Sequence, residues 1–166
     1  PGTIVGPIPF PAGTYNVALV PAGGNPANPA LAGMLTFTPG QNFSLIAHLK
    51  EDGTPAVALF DNNVSSTSGT RLTIRHLAAA PAVDAVVAPG TPGQTSYGPL
   101  SNGQEATLEL AAGPLTAGLA PAATSTIIFG PSTVDLPPGT LVIAYAIGSL
   151  SGGTFNVLLQ TIPVGS

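Results

Sequence analysis

Short runs in which apolar and polar side chains trade places are cut by turn residues roughly every eight to twelve positions, the spacing of an all-β sandwich. In Thr14 to Val20, Tyr15, Val17 and Leu19 share one face, and in Asn42 to Lys50, Phe43, Leu45, Ala47 and Leu49 do. Arg71 to His76 sets Leu72, Ile74 and His76 against Thr73 and Arg75. Successive side chains of a strand point to opposite faces, so each run predicts a strand with one face in a core and one in solvent. Leu141 to Ile147 and Ile127-Ile128-Phe129 are apolar on both faces and predict central or covered strands. Turn residues such as Pro11-Ala12-Gly13, Pro39-Gly40, Asp52-Gly53, Pro138-Gly139 and Gly152-Gly153 punctuate the runs. Ala111 to Ala123 is rich in Ala, but Gly113, Pro114, Gly118 and Pro121 interrupt it. A proline inside a helix costs about 3 kcal/mol, so little or no helix is expected.

The strand pattern repeats. Gly6-Pro7-Ile8 answers Gly98-Pro99-Leu100, Ala22-Gly23 answers Ala112-Gly113, and Pro39-Gly40 answers Pro138-Gly139. Ile46-Ala47-His48 likewise answers Ile143-Ala144-Tyr145, and Gly53-Thr54 answers Gly153-Thr154. The expected fold class is all-β, with two tandem antiparallel β-sandwich units of immunoglobulin-like or Greek-key type. The units fall at 1–68 and 69–166, and Ser65 to Thr70 is the most linker-like stretch. The second copy has a lead-in, Arg71 to Gly90, that reads as two strands. Nothing stands before Pro1 to match it, so the first unit is expected to be incomplete on its N-terminal side by about twenty residues.

Charge narrows the function classes. Only 6% of residues are charged and the net charge is −4, with three Lys and Arg in all. Three basic residues cannot line a phosphate-binding surface, so nucleic acid is not an expected partner, and neither is an anionic membrane. The longest apolar block, Leu141 to Ile147, is too short to span a bilayer. Cysteine is absent, which excludes disulfides and thiolate metal sites. A surface of Thr, Ser, Asn, Gln and Gly with so little charge fits a secreted or cell-surface protein better than a cytosolic one.

Candidate chemistry is sparse. No Gly-x-Ser-x-Gly elbow is present, and His48 and His76 lie too far apart for metal-ligand spacing, so no enzyme activity, cofactor or metal is expected. His48 with Glu51 and Asp52 reads as a strand end entering an Asp-Gly hairpin. His76 and Asp84 flank a short turn and are expected to meet as a structural polar pair. Glu105 and Glu109 share one strand face, read as solvent-exposed. Asn42-Phe43-Ser44 and Asn63-Val64-Ser65 fit the N-glycosylation pattern, and Asn63 is the better candidate because Asn42 opens a strand.

The residues Arg71-Leu72-Thr73-Ile74-Arg75-His76, followed by Pro81-Ala82-Val83-Asp84, resemble the opening of a prokaryotic domain-of-unknown-function family, DUF4397. Pro11-Ala12-Gly13-Thr14-Tyr15-Asn16-Val17 resembles the strand entry that recurs in that family. The resemblance implies tandem β-sandwich domains on secreted or cell-surface proteins, with no assigned catalysis. Leu77-Ala78-Ala79-Ala80 replaces the family's polar turn and is one residue shorter, which removes the Ser and Asp that could have held an ion.

Two functional expectations follow. The first is a structural subunit of an extracellular filament or surface assembly, a pilus-like homopolymer whose copies join by strand donation. Thr3, Ile4, Val5, Ile8 and Phe10, or Phe155, Val157, Leu159 and Ile162, are the apolar residues of the candidate donor or acceptor strands. The second is a cell-surface adhesion module that recognises glycan or protein through loops such as Pro21 to Pro29. No Trp and only three Tyr are available for a sugar platform, which disfavours glycan.

Overall fold

A computed structural model describes residues 2–165 and contains, among them, twelve strands and no helix. β1 (Gly13–Leu19) and β2 (Leu31–Phe37) form one antiparallel hairpin, and β3 (Phe43–Leu49) and β4 (Pro55–Asp61) form another. The later strands are β5 (Thr70–His76), β6 (Val83–Val87), β7 (Thr95–Leu100), β8 (Glu105–Leu110), β9 (Gly113–Pro121), β10 (Phe129–Leu136), β11 (Thr140–Ile147) and β12 (Asn156–Pro163). They build two four-stranded sheets, ordered β10-β9-β6-β7 and β12-β11-β5-β8, which close face to face into a sandwich. The all-β, antiparallel fold class is as expected, with one departure: β5 and β11 run parallel. The Ala-rich stretch forms β9 rather than a helix.

Period-two alternation explains the sandwich core. Leu72 and Ile74 of β5, Val83 and Ala85 of β6, and Val142 and Ala146 of β11 all point between the sheets. The lead-in strands β5 and β6 supply four of the nine buried residues of that core. Among the described residues of the N-terminal half no strands correspond to β5 to β8, so its two hairpins stand as half a sandwich.

The β3–β4 hairpin lies on the outer face of sheet β12-β11-β5-β8, where Ile46, Ala58 and Phe60 pack on Leu77, Leu141, Ile143 and Tyr145. This third layer corrects the reading of β5 as half in solvent, because every residue of β5 is buried, Thr73 and Arg75 included. β11 is central and covered on both faces, as its pattern predicts. Ile127 and Ile128 instead precede β10, which is an edge strand, so that apolar triplet is not a central strand.

Strand register also re-aligns the repeat. Gly13 pairs with Phe37 at the open end of the first hairpin, and Gly113 pairs with Leu136 at the open end of β9–β10. Gly13 therefore corresponds to Gly113, not Gly23, and β1 to β4 correspond to β9 to β12. The turns that lead into β3 and β11 support the match, since Gly40 (φ 77°) and Gly139 (φ 63°) occupy the same left-handed conformation.

Candidate docking groove and the arginine cluster behind it

Between the two N-terminal hairpins lies a groove of about 450 Å³, lined by apolar side chains that include Val17, Leu19, Leu35, Leu45, Val57 and Leu59. The alternation that turns Ile46, Ala58 and Phe60 toward the sandwich leaves Leu45, Val57 and Leu59 for the groove. Val57 and Leu59 remain 39% and 45% exposed. Beyond Leu35 and Leu45, at one end of the two hairpins, aromatic rings gather. Phe37 stacks on Phe43 at 4.2 Å, and Tyr15 and Phe10 pack beside Phe37.

The groove is flanked by unused backbone. In the β3–β4 hairpin, the Lys50 amide donates to the Thr54 carbonyl at one end, and the Asn62 amide donates to the Asn42 carbonyl at the other. The register between those ends is unbroken, so the even-numbered residues of β3 bond to β4. Phe43, Leu45 and Ala47 then turn their N–H and C=O groups to the opposite edge, where no strand is paired among the described residues. The corresponding edge of β11 carries β5.

Behind the groove, where the hairpin meets the sandwich, sits a buried polar cluster. Arg75, only 1% exposed, donates from Nε to Glu105 Oε2 (2.8 Å) and from Nη2 to Asn62 Oδ1 (2.8 Å). Its guanidinium lies 4.5 Å from the Phe60 ring centroid and 5.5 Å from that of Tyr145. The Tyr145 hydroxyl donates to Gln160 Oε1 (2.7 Å), and Asn62 Nδ2 donates to Asn42 Oδ1 (2.7 Å). Arg71 pairs with Glu109 and donates from Nη1 to the carbonyls of Asn63 and Ser65, both at 2.8 Å. Thr67 Oγ1 donates to Glu109 as well, and with Arg71 it holds that carboxyl below the usual glutamate range. Among the described residues no buried side-chain nitrogen or oxygen lacks a partner, so the cluster fixes the hairpin on the sandwich and leaves no vacant polar group.

The expected pair of His76 and Asp84 does not form. His76 Nε2 lies 2.9 Å from the Pro81 carbonyl, whereas Asp84 Oδ2 accepts from the Ala123 amide at 2.9 Å. They belong to strands of opposite sheets, and each bonds the backbone nearest to it. The turn between them, Leu77 to Ala80, is buried, with Leu77 packed beneath the third layer, which accounts for its apolar composition. Thr3, Ile4, Val5 and Ile8 belong to no strand; Val5 is 77% and Ile8 59% exposed. Phe10, also outside any strand, packs on Tyr15. Phe155 packs on the sandwich core, and Val157, Leu159 and Ile162 lie in β12, already paired with β11. Donation of that tail would require opening the sandwich. Asn63 is exposed, and its side chain accepts from the Ser65 amide and hydroxyl. No group of three or more His, Asp or Glu that can hold a metal occurs among the described residues.

Residue-by-residue reading missed the arginine cluster, although a signal was present. Arg71 and Arg75 are spaced like Glu105 and Glu109, and an antiparallel register sets Arg71 opposite Glu109 and Arg75 opposite Glu105. Two like-spaced pairs of opposite sign on strands of one sheet predict such a ladder.

Both segments that carried the family resemblance, Pro11 to Val17 and Arg71 to Asp84, fall within residues 1–86, which match the family model described as a domain of unknown function, DUF4397. The chain belongs to this family. No match was found among curated proteins or solved structures. The matched DUF4397 segment runs through β1 to β4 and on through β5 into β6, so it contains both the open hairpins and the strand pair that completes the sandwich.

Proposed function

We propose that this protein is a structural, non-catalytic subunit of an extracellular assembly, and that its N-terminal half accepts β-strands from a neighbouring subunit. The observation that carries this reading is the coincidence of an apolar groove with the unpaired edge of β3 beside it. Unpaired edges next to apolar surface are templates for strand addition, where main-chain bonds supply affinity and alternate side chains fill the groove. Burying four aliphatic side chains contributes about 1.5–3 kcal/mol each, on the order of 10 kcal/mol together. That rivals the whole stability of a small domain. The 6% charge content supports a surface that is largely covered by other subunits.

Substitution Ala47→Pro tests the reading. The Ala47 N–H points to the open edge and takes no part in the β3–β4 ladder, a position where a strand tolerates proline. The expected result is an unchanged far-UV spectrum with loss of strand capture, read as self-association in sedimentation velocity or as binding of an added strand. A wild-type chain that stays a folded monomer at micromolar concentration and takes up no added strand, or a variant that assembles or takes up a strand like the wild type, overturns the proposal.

A further inference from the structure

We infer that the occupant of the groove is a two-strand segment of the Thr70–Val87 type, entering parallel to β3 and leaving antiparallel to β1. The inference rests on the strand-addition reading and names the chemistry of the strand added. Its template is the second half of the same chain. There, β5 pairs with β11, and β6 lies between β9 and β7. In the N-terminal half, the counterparts of those three elements are β3, β1 and residues 3–8, the last matched through Gly6-Pro7-Ile8 and Gly98-Pro99-Leu100. Among the described residues β3 pairs only with β4, β1 only with β2, and residues 3–8 with no strand. One absent strand pair accounts for all three vacancies.

The side chains agree with the backbone. Val83 of β6 lies opposite Leu100, which is 6% exposed, and Ala85 lies opposite Tyr97, which packs on the core. Their counterparts Ile8 and Val5 are 59% and 77% exposed. Leu72 lies opposite Val142, and Ile74 opposite Ala144. Through the match of Ile46-Ala47-His48 to Ile143-Ala144-Tyr145, the entering strand sets its Leu72-type residue against Leu45 and its Ile74-type residue against Ala47. Across the groove, Ala85 opposes Leu119, the counterpart of Leu19. The occupant therefore has an aliphatic–polar alternating strand, a small-residue turn and a second aliphatic strand. β5 and β6 of another copy do not fit the role, since Val83 (1% exposed) and Ile74 (7%) are core residues of their own sandwich. The pattern belongs to a lead-in carried by a neighbouring unit of the same family.

A synthetic peptide with the sequence Thr70 to Val87, given a soluble Lys tag, is titrated against the full chain. Saturable one-to-one binding is expected, with slowed amide exchange in β1, β3 and residues 3–8, and no binding to the Ala47→Pro chain. The peptide carrying Leu72→Ser and Ile74→Ser is expected to bind at least about tenfold more weakly. If wild-type self-association depends on Ala47 but the peptide neither binds nor competes with it, strand addition stands and this occupant is wrong. If the peptide binds with equal affinity to the wild type and the Ala47→Pro chain, or protects only the sandwich strands, the inference also fails. If neither peptide binding nor self-association occurs, both readings fall together.

Discussion

The two halves of this protein contain the same four strands in two states of completion. β9 to β12 sit in a closed sandwich, where Leu136, Val142 and Leu119 are 2%, 2% and 7% exposed. β1 to β4, with matching turns and register, leave most of their equivalent positions half-covered and an apolar groove open between them. Local sequence does not separate these fates, since both halves alternate correctly. What separates them among the described residues is four strands, β5 to β8, of which β5 and β6 supply the middle of both sheets and β7 and β8 their far edges. A hairpin alone is marginally stable in water, so β3–β4 gains its stability by resting its outer face on the sandwich.

The junction is where the comparison breaks most readily. Arg75→Ala removes the guanidinium that Glu105, Asn62, Phe60 and Tyr145 share beneath the hairpin. Breaking a buried ion pair costs about 3–5 kcal/mol, and the partial exposure of Glu105 places this case near about 3. Urea unfolding is expected to show that loss. Limited proteolysis is expected to cut first between β4 and β5, releasing the hairpins from a sandwich that stays folded. Joint unfolding with no early cleavage would mean that the apolar contacts of Ile46 and Phe60 suffice without the cluster.

A matched pair of truncations measures the difference between the halves directly. Leu72, 6% exposed in the sandwich core, is expected to cost about 2–5 kcal/mol as Leu72→Ala, from lost burial and the cavity left behind. Leu59, 45% exposed at the groove, is expected to cost under about 1 kcal/mol as Leu59→Ala in the isolated chain. Saturation with a groove occupant should widen the Leu59→Ala penalty toward the core value. Equal penalties in the free chain would show the groove to be closed in solution.

Much of this architecture was legible in the sequence. Period-two alternation located β1, β3 and β5, a continuous apolar run located β11, and Gly and Pro located the turns, because those signals are local. The repeat was visible too, but its alignment was off at Ala22-Gly23, because only strand register shows that Gly13 opens the hairpin as Gly113 does. The third layer was not legible. Alternation separates core from non-core faces, but it cannot tell that a polar face such as Arg71, Thr73 and Arg75 will be buried by another hairpin. The supposed His76 and Asp84 pair failed for a related reason. Closeness in sequence across a turn places residues on neighbouring elements, yet here those elements belong to opposite sheets.

The smallest expected effect concerns the segment that joins the halves. Glu109 accepts from Thr67 Oγ1 and from Arg71, and the Thr67 bond is the larger cause of its lowered pKa. A carboxyl with a lowered pKa in the folded state favours folding once it is ionised in the unfolded chain as well. Its contribution is fully present above the ordinary glutamate range and fades as pH falls through the lowered folded value. Thr67→Ala is therefore expected to melt slightly below the wild type near neutral pH, with the two melting temperatures converging in acid. Because Glu109 is more than half exposed, raised salt should narrow the gap at neutral pH. A gap that persists unchanged into acid would assign the effect to the packing of Thr67 instead, and would leave Arg71 alone to staple the joining segment to the sandwich.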